Sequence, residues 1–374
     1  MTPAGAVSVG ALVCVLVGAQ LGLLAAPAVA AHPGPGGPGP GERGSAGAPA
    51  GPPEGDSSAD AESTARLEEV RKRIEELHDR AESATEAYNA AGERADRQRY
   101  EIVRLAQAIV RTRVQLDALT DRAGAMARAQ YRGGGLPPQA RLLLSDDPER
   151  FLRGLELLRR GQRATSGLIG RLTASRQDLD RYADEATDRW AKLEADRRKK
   201  AAAKKRITAE LAEAEKLESQ LADEEVERLR QLEDEAAWAR QARWLDTGVL
   251  EEIDGRASAR GRKAVRFAMA QIGKDYQWGA EGPDTFDCSG LTLRAWEAAG
   301  ERIPRTSQEQ WRRLPKVEIT QMRPGDLIIY KEDASHVGMY VGDGVMVHAP
   351  RTGRQITLAG AGSLPILGVV RPDR

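Results

Sequence analysis

Apolar residues recur along the first part of the chain at alternating intervals of three and four positions. The repeat includes Leu67, Val70, Ile74, Leu77, Ala81, Ala84, Tyr88, Ala91, Ala95, Ile102, Leu105, Ile109, Leu116, Leu119, Ala123 and Met126. This spacing brings the apolar side chains onto one side of an α-helix and is typical of a coiled coil. Arg, Glu, Asp and Gln fill the flanking positions, which predicts a solvated outer face that includes His78.

The first helix is predicted to end at Arg132, because three glycines and two prolines follow between residues 133 and 138. The next apolar stretch, Leu142–Leu144, lies in the predicted turn between helices. These leucines either fold back on the helices as a small local core or form an exposed docking site for a partner. Both interpretations fit the sequence.

Helical spacing resumes at Phe151–Trp190 and again at Ile207–Trp238. We expect these segments to return along the first helix as an antiparallel hairpin, because each apolar stripe must be buried against another. At a rise of about 1.5 Å per residue, the first helix is on the order of 100 Å long. The predicted molecule is therefore elongated over much of its length.

The pattern changes beyond residue 260. A short amphipathic helix with Ala264, Val265, Phe267, Ala268 and Ile272 precedes three apolar segments that predict strands, at 326–330, 336–341 and 345–348. Gly342-Asp343-Gly344 predicts a turn between the last two. The predicted fold class is therefore α+β, with a long α-helical coiled-coil hairpin followed by a small domain of helices packed on an antiparallel sheet.

The N-terminal stretch is apolar and ends in the small residues Ala28-Val29-Ala30. This arrangement predicts a signal peptide over residues 1–30, and therefore secretion to the cell exterior or the cell wall. An uncleaved membrane anchor is less favoured, because Gln20 and Pro27 interrupt a run that needs ~20 apolar residues to span a membrane. Residues 31–63 are rich in Pro and Gly and predict a disordered linker.

Composition limits the remaining interpretations. The chain has 374 residues with 56 basic and 56 acidic side chains, so it lacks the positive excess that nucleic-acid binding requires, and we expect no such partner. Only 4% of the residues are aromatic, which disfavours one large globular core. Beyond the linker we therefore predict a coiled-coil arm (64–245), a hinge (246–259) and a C-terminal domain (260–374).

Cys288 is the only cysteine that remains once the predicted signal peptide, which contains Cys14, is removed. It can form no internal disulfide, so it is either a buried small side chain or a reactive thiol. A helix predicted from Ser289 onward places Cys288 at a helix N-terminus, where free amides and the helix dipole favour a thiolate with a lowered pKa. We therefore predict that Cys288 is a nucleophile, with these amides holding an oxyanion.

The two histidines of the C-terminal domain, His336 and His348, bracket one predicted hairpin. A three-residue turn puts them on the same face of the sheet, whereas a two-residue turn puts them on opposite faces. On the same face, His336 can act as the base for Cys288, and His348 can hold His336 in its productive tautomer.

Five motifs give this domain a resemblance to a known family. They are Tyr276–Leu291 with Asp-Cys-Ser-Gly-Leu at its end, Pro304–Gln308, Arg323–Leu327, Ser335–Tyr340 and Val347–Ala349. The domain resembles the NlpC family of peptidoglycan endopeptidases. The resemblance implies a minimal papain-like fold without a metal or other cofactor, and a catalytic set of Cys288, His336 and His348. It also implies cleavage between D-glutamate and a diamino acid in the stem peptide of peptidoglycan.

The same resemblance implies that Tyr276 donates a hydrogen bond near the oxyanion. We expect Trp278, Asp287 and Ser289 to contribute to binding of the oxyanion or the substrate. The arm, with its glycine-rich break and Leu142–Pro148 stretch, is similar to the arms of division-associated cell-wall hydrolases, some of which are controlled by an ABC-transporter-like membrane complex. This similarity implies that the arm docks on such a complex and regulates or localises the enzyme.

Two other classes of function stay open. An amidase or acyltransferase on the same scaffold forms the same thioester, and only the acceptor that resolves the thioester differs. The second class is a coiled-coil scaffold protein whose C-terminal domain has weak or no activity. The intact set of Cys288, His336 and His348 disfavours this second class.

Overall fold

The computed structural model describes residues 57–132, 140, 144, 147–253 and 255–373. The predicted signal peptide lies outside the described residues, as do most of the predicted linker and Leu142 and Leu143. Ala59–Arg374 form one compact unit. Within the described ranges, no helix combines the length and the apolar character needed to cross a membrane.

Within the described residues, the arm contains the helices α1 (Ser57–Arg132), α2 (Pro148–Glu218) and α3 (Asp223–Leu245). α1 ends at the predicted residue, and α2 begins with a proline, which is favourable in the first helical position. The side chain of Asp147 caps α2 by accepting a hydrogen bond from the amide of Glu149 at 2.9 Å. α2 continues through residues 190–207, so the first predicted stretch and the start of the second belong to one helix, whereas the rest of the second stretch lies in α3 after a break at residues 219–222.

The predicted linker extends too far towards the arm, because α1 already begins at Ser57. The segment 57–63 contains no glycine or proline, and its acidic residues lie where the helix dipole favours negative charge. Nothing in this segment therefore prevents the helix from starting before residue 64.

The hairpin is antiparallel. Ion pairs link Arg73 to Glu213 at 3.1 Å, Arg80 to Glu210 at 2.9 Å and Arg94 to Asp196 at 2.9 Å, so numbering falls along α2 as it rises along α1. The apolar stripes are buried in the half of the hairpin that lies near the C-terminal domain, with Leu67, Ile74, Leu77, Ala81, Ala84, Ala91, Leu193, Ile207 and Ala214 in contact with almost no solvent. The predicted coiled-coil packing is therefore strongest near this domain.

The C-terminal domain contains a mixed set of short elements. Its helices are α4 (Val249–Glu252), α5 (Ala259–Met269), α6 (Cys288–Ala298) and α7 (Ser307–Arg313). Its strands are β1 (Lys316–Val317), β2 (Leu327–Tyr330), β3 (His336–Gly342), β4 (Val345–His348), β5 (Thr357–Gly360) and β6 (Ile366–Val370). The strands form one sheet in the order β1-β6-β2-β3-β4-β5, and every pairing is antiparallel. The predicted α+β fold class is confirmed.

Both faces of the sheet are covered. Leu327 and Ile329 of β2 point to the face that packs on α5 and α6, where Trp296 is fully buried. The alternate residues Ile328 and Tyr330 point to a second apolar cluster, which includes Trp244 from the end of α3. Because strand side chains alternate between faces, one strand contributes to both cores.

The predicted hinge, residues 246–259, is packed rather than open. It contains α4, and its Ile253 joins the second apolar cluster. A Cβ atom on Gly255 would lie 2.5 Å from the carbonyl oxygen of Met322, so the backbone here passes directly over its neighbour. The apolar residues within the segment explain this packing, because they can be buried only against the sheet.

Candidate active site

Cys288 is the first residue of α6, and Asp287 is its N-cap. The Asp287 carboxylate accepts hydrogen bonds from the amides of Gly290 at 2.6 Å and Gly279 at 3.0 Å. A Cβ atom on Gly290 would lie 2.3 Å from the carbonyl oxygen of Ala280, so only glycine fits here without a shift of the backbone. The loop of 276–280 is thereby held against the helix start that carries the thiol.

The start of β3 lies beside the thiol. The Cys288 Sγ atom is 3.9 Å from the carbonyl oxygen of Ser335, and the amide of Val337 donates a hydrogen bond to the thiol. These two backbone groups flank His336 in sequence. The backbone of His336 therefore lies beside Cys288.

His336 and His348 form a direct pair, with Nε2 of His336 3.0 Å from Nδ1 of His348 and their rings perpendicular. Met339 pairs with Val347, whereas Gly342 pairs with Val345, so β3 contains one extra residue next to the turn. This bulge gives the same-face result of a three-residue turn. The alternative with the histidines on opposite faces is wrong.

The arm covers this site, and Glu86 of α1 reaches its centre. One carboxylate oxygen, Oε1, accepts a hydrogen bond from Ser289 Oγ at 2.7 Å and lies 3.9 Å from Cys288 Sγ. The other oxygen accepts a hydrogen bond from the amide of Ser307 at 2.8 Å. The Glu86 side chain is only 1% exposed, so the thiol is closed off from solvent on this side.

Glu82 lies one turn earlier on α1 and contacts His336. Its Oε1 atom is 3.1 Å from Nδ1 of His336, and its other oxygen pairs with the ammonium of Lys331. Lys331 also donates to Asp79 Oδ1 at 2.6 Å. A carboxylate of the arm therefore occupies the ring nitrogen of His336 that does not face His348.

Two further arm residues, Asn89 and Tyr88, contact the C-terminal domain near Cys288. Asn89 Nδ2 donates to the Asp287 carboxylate at 3.0 Å, and the Tyr88 ring meets Trp278 edge to face with centroids 5.2 Å apart. The acidic residues and Asn89 lie at intervals of three and four, so they form one face of α1 (Asp79, Glu82, Glu86 and Asn89), which we call the acidic face.

Comparison with known proteins decides the family of this domain. Residues 273–362, which contain Cys288, His336 and His348, match the sequence profile of the NlpC/P60 family. This domain belongs to the NlpC/P60 family. The resemblance found in the sequence is therefore confirmed for the NlpC/P60 domain.

Curated relatives match the same region. A probable endopeptidase of Corynebacterium glutamicum is 35% identical over 140 residues, which are 37% of this chain and 66% of that protein. Probable endopeptidase p60 of Listeria monocytogenes is 44% identical over 91 residues, 24% of this chain and 19% of the relative. The chain therefore spans less than two thirds of the length of these relatives.

Solved structures of the NlpC/P60 family also match part of the chain. The NlpC/p60 domain of the peptidoglycan hydrolase SagA is 28% identical, with 30% of this chain and 97% of that chain covered and a TM-score of 0.28. An NlpC/P60 family protein from Bacillus cereus is 29% identical, with 32% and 42% covered and a TM-score of 0.29.

The docked arm changes the electrostatics of the NlpC/P60 domain. Burial, followed by the charges of Glu86 and Asp287, raises the pKa of the Cys288 thiol well above its ordinary value. This direction is opposite to the lowered pKa predicted from the helix N-terminus. The helix dipole is present, but the arm removes water and brings a carboxylate to the thiol, and both effects favour the protonated form.

The two arm glutamates differ in charge state. Burial and the neighbouring Asp287 raise the pKa of Glu86 to about 8. Burial also opposes the charge of Glu82, but Lys331 and His336 outweigh it and lower its pKa to about 2. Glu82 is thus an anion that pairs with Lys331, whereas Glu86 is neutral around pH 7.

The remaining predicted residues lie around the thiol. Burial and the proximity of Cys288 raise the pKa of Tyr276 well above its ordinary value, so its hydroxyl stays protonated and can donate a hydrogen bond. Trp278 and Ser289 contact the arm at the positions described above. Asp287 is fully buried and also pairs with Arg305 at 2.7 Å, so it organises the helix start and has no free face for substrate. The catalytic roles of Cys288, His336 and His348 stay predictions.

Sequence reasoning missed the residues that connect the arm to the site. The expected solvated face of α1 is wrong at Glu82, Glu86 and Asn89, which are buried against the NlpC/P60 domain. His78 is also buried, and its Nε2 has no hydrogen-bond partner in the described parts of the chain. A helix with charged residues beside its whole apolar stripe gives no sign of which of them a second domain covers.

Lys331, Arg305 and Ser307 were also not singled out. Arg305 donates to Asp287 and to Ser289 Oγ at 2.8 Å, and Ser307 offers its amide to Glu86. The motif Pro304–Gln308 was a signal for two of these residues. Within the part of the chain that the structure describes, no group of three or more His, Cys, Asp or Glu side chains is placed to hold a metal ion.

Proposed function

We propose that this protein is a secreted cell-wall hydrolase that cuts the bond between D-glutamate and a diamino acid in the stem peptide of peptidoglycan. Cys288 is the nucleophile, His336 the base and His348 the residue that orients the base. The family of the domain, the names of its relatives and the placement of these three side chains support this proposal. Secretion rests on the apolar N-terminal stretch of the sequence.

The reaction follows from the positions of the side chains. His336 takes the thiol proton, and the Cys288 sulfur attacks the carbonyl carbon of the scissile amide. In this proposal, the amides at the start of α6 and the Tyr276 hydroxyl bind the oxyanion. His336 then donates its proton to the leaving amine, which leaves a thioester, and water resolves the thioester with His336 again as base.

The position of Glu86 supports the choice of bond. A D-glutamyl residue linked through its γ-carboxyl keeps a free α-carboxylate next to the scissile amide, unlike an ordinary peptide bond. Ser289 Oγ and the Ser307 amide hold the carboxyl group of Glu86 beside Cys288 when the arm is docked. The Ser307 hydroxyl is buried there without a hydrogen-bond partner among the described residues. After the arm leaves, these donors are available for the substrate carboxylate.

We infer that the docked arm holds the enzyme inactive. Glu82 occupies the base and Glu86 the nucleophile, so a stem peptide cannot reach either group while α1 is in place. Among the observations, the contact of Glu82 with His336 carries this inference, because Glu82 occupies Nδ1 while His348 occupies Nε2, so neither ring nitrogen is left to take the thiol proton. The arm therefore regulates the enzyme.

The far end of the arm suits a partner. Val110, Val114 and Tyr131 are more than half exposed, and they lie beyond the part of α1 that packs on the NlpC/P60 domain. Exposed apolar side chains at this distance favour contact with another protein. We propose that this part of the arm docks on a membrane division complex, which pulls α1 off the active site.

The test uses two variants of the chain without its predicted signal peptide. In the opened variant, Glu82→Lys and Glu86→Lys place positive charges against Lys331 and Arg305, so the arm is repelled. The control variant, Glu149→Lys and Glu156→Lys, makes the same charge change at exposed ion pairs of α2. Each is incubated with purified peptidoglycan, and the products are identified by mass spectrometry.

We expect the opened variant to release fragments with a new C-terminal D-glutamyl carboxyl group, and the control to match the slow native chain. Cys288→Ala in the opened variant should release nothing. Cleavage of the amide bond that joins the stem peptide to the lactyl group of the sugar would instead identify an amidase. Transfer of the acyl group to an added amine would identify an acyltransferase. Equal rates for the opened and native chains would refute the regulatory part of the proposal.

A further inference from the structure

Lys331 is a cation of the NlpC/P60 domain whose acidic partners lie on the arm. It follows β2, and its ammonium contacts the carboxylates of Asp79 and Glu82, both on α1. The residue has a φ of 65°, a left-handed backbone conformation that residues other than glycine rarely adopt. The amide of Lys331 donates to the Pro365 carbonyl, and its own carbonyl accepts from the amide of Ala334. The domain therefore fixes the backbone of this lysine independently of the arm.

A carboxylate at the position of Glu82 touches two groups of the domain at once. One of its oxygens pairs with Lys331, and the other lies 3.1 Å from Nδ1 of His336. When α1 leaves, the backbone of Lys331 keeps its position, and the ammonium loses both carboxylates. An ammonium group next to an emptied cleft then faces whatever substrate enters.

The chemistry of the reaction indicates on which side of the cleft the leaving group of the substrate lies. His336 must donate its proton to the leaving amine, so the substrate residue that carries this amine lies beside His336. Lys331 is on this side, whereas Ser289 and Ser307, which hold Glu86, are on the side of Cys288. The two arm carboxylates therefore mark positions on opposite sides of the scissile bond.

We propose that Lys331 is a specificity residue that binds a carboxylate of the diamino acid on the leaving-group side of the bond. This inference rests on the proposed function. The target bond has one carboxylate on each side, the α-carboxylate of D-glutamate and a carboxylate of the diamino acid. Glu82 and Glu86 are four residues apart, which is about 6 Å along a helix. The acidic face therefore carries two carboxyl groups at a spacing comparable to that of the two carboxylates that flank the target bond.

The diamino acid offers this carboxylate from two sources, since diaminopimelate has one in its main chain and one at the end of its side chain. Three synthetic peptides of the form L-Ala-γ-D-Glu-diaminopimelate separate them. One has both carboxylates free, one has the main-chain carboxylate as an amide, and one has the side-chain carboxylate as an amide. The measured quantity is kcat/KM for each peptide with the opened variant.

The opened variant should cut the fully free peptide about tenfold faster than one of the two amides, because a lost contact with a charged group has an effect of this size. The slower amide identifies the carboxylate that Lys331 binds. Lys331→Met in the same background should reduce this preference to less than about twofold, and Lys331→Arg should retain most of it. Lys316→Met, at a lysine that lies over Trp311, is the matched control and should leave the preference unchanged.

The ratio of kcat/KM between two peptides does not depend on the fraction of enzyme that is open or folded. A destabilised variant therefore still gives an interpretable result. An unchanged preference in Lys331→Met, or no preference in the opened variant, overturns the role of Lys331 while leaving the proposed function intact. Failure of the opened variant to cut any of the three peptides refutes the proposed function, and this inference with it.

Discussion

The carboxylate of Glu82 lies 3.1 Å from Nδ1 of His336, although the two residues are 254 positions apart in the chain. This contact joins the coiled-coil arm to the base of the NlpC/P60 domain. It makes the accessibility of the active site depend on where α1 lies, and the following predictions test that dependence.

Truncation of the acidic face should expose the thiol. Glu86→Ala removes the carboxylate that lies 3.9 Å from Cys288 Sγ, together with hydrogen bonds to Ser289 and Ser307. Because hydrogen bonds to a carboxyl group hold the arm at this point, we expect alkylation of Cys288 by iodoacetamide at neutral pH to become at least about tenfold faster. Mass spectrometry of the labelled protein measures the rate.

Glu101→Ala is the control for this experiment, because Glu101 lies on the same helix and pairs only locally with Arg104. It should leave the alkylation rate unchanged. Equal rates in native, Glu86→Ala and Glu101→Ala proteins would contradict the closed arrangement of the arm.

Activity of the chain should depend on pH through Glu86. Burial, followed by the charge of Asp287, raises its pKa from 4.5 to about 8 when the arm is docked, so docking is favoured while Glu86 is protonated. This contribution is complete below pH 4.5 and is lost as pH rises through 8. Burial and then Arg351 lower the pKa of His78 from 6.5 to about 3, so protonation of His78 weakens docking below pH 6.5.

Of Glu86 and His78, only Glu86 changes its contribution to docking between pH 6.5 and 8. The equilibrium constant for docking should therefore fall by up to tenfold per pH unit over this interval. The hydrolysis rate of the native chain, divided by that of the opened variant, should therefore rise over this interval. Glu86→Gln stays neutral at every pH, so this rise should be absent in it. A ratio that is flat in the native chain would contradict the role of Glu86.

The two histidines should differ in importance. In the opened variant, His336→Ala removes the base and should lower kcat by at least about 10²-fold. His348→Ala should have a smaller effect, because it removes only the partner that lies 3.0 Å from Nε2 of His336 and leaves the base itself. Peptide hydrolysis at saturating substrate measures both. Losses of equal size would show that His348 takes part in proton transfer directly.

The fold could be predicted from the sequence where a periodic signal existed. The end of α1 at Arg132 follows from the glycines after it, and the same-face placement of His336 and His348 follows from strand parity once the turn is known. The choice between two and three turn residues depends on a bulge in β3. That bulge is a property of the paired strands, so the sequence left both alternatives open.

The candidate residues Cys288, His336 and His348 could be singled out because their motifs are local, whereas the arm contacts could not. Cys288 lies at a helix start that is visible in the sequence. Glu82 and Glu86 look like any other charged residue beside an apolar stripe, and their burial depends on a domain about 200 residues away. The raised pKa of Cys288 has the same origin, because it results from the docked arm and not from the neighbours of the cysteine in sequence.

The close approach at Gly290 should make this position intolerant of any side chain. Gly290→Ala places a Cβ atom 2.3 Å from the Ala280 carbonyl oxygen, so the loop that carries Tyr276 must shift. We expect a loss of stability of about 1–3 kcal/mol and a loss of activity in the opened variant. Gly161→Ala, on α2 with nothing within 4 Å of the added atom, should instead be neutral or stabilising. Thermal unfolding compares the two.

The last prediction concerns where the enzyme can be cut away from its arm. The sequence predicts that a fragment starting near Arg256, within the predicted hinge, folds and is active. In the structure α3 packs on the sheet: Arg240 Nε donates to the Ser363 carbonyl at 2.6 Å, and the Gly362 amide donates to Gln241 Oε1 at 2.6 Å. A Cβ atom on Gly362 would lie 2.3 Å from Trp244, so this glycine leaves room for α3.

We therefore expect a fragment that starts at Asp223 and keeps α3 to be folded, and to hydrolyse peptidoglycan faster than the native chain because it lacks α1. The fragment that starts at Arg256 exposes the apolar cluster of Ile328 and Tyr330 that Trp244 covers, so it should unfold at a lower temperature. Circular dichroism and hydrolysis assays compare the fragments. If the fragment from Asp223 is folded but no faster than the native chain, α1 does not restrain the enzyme. If the fragment from Arg256 is as stable as the fragment from Asp223, α3 does not contribute to the stability of the NlpC/P60 domain.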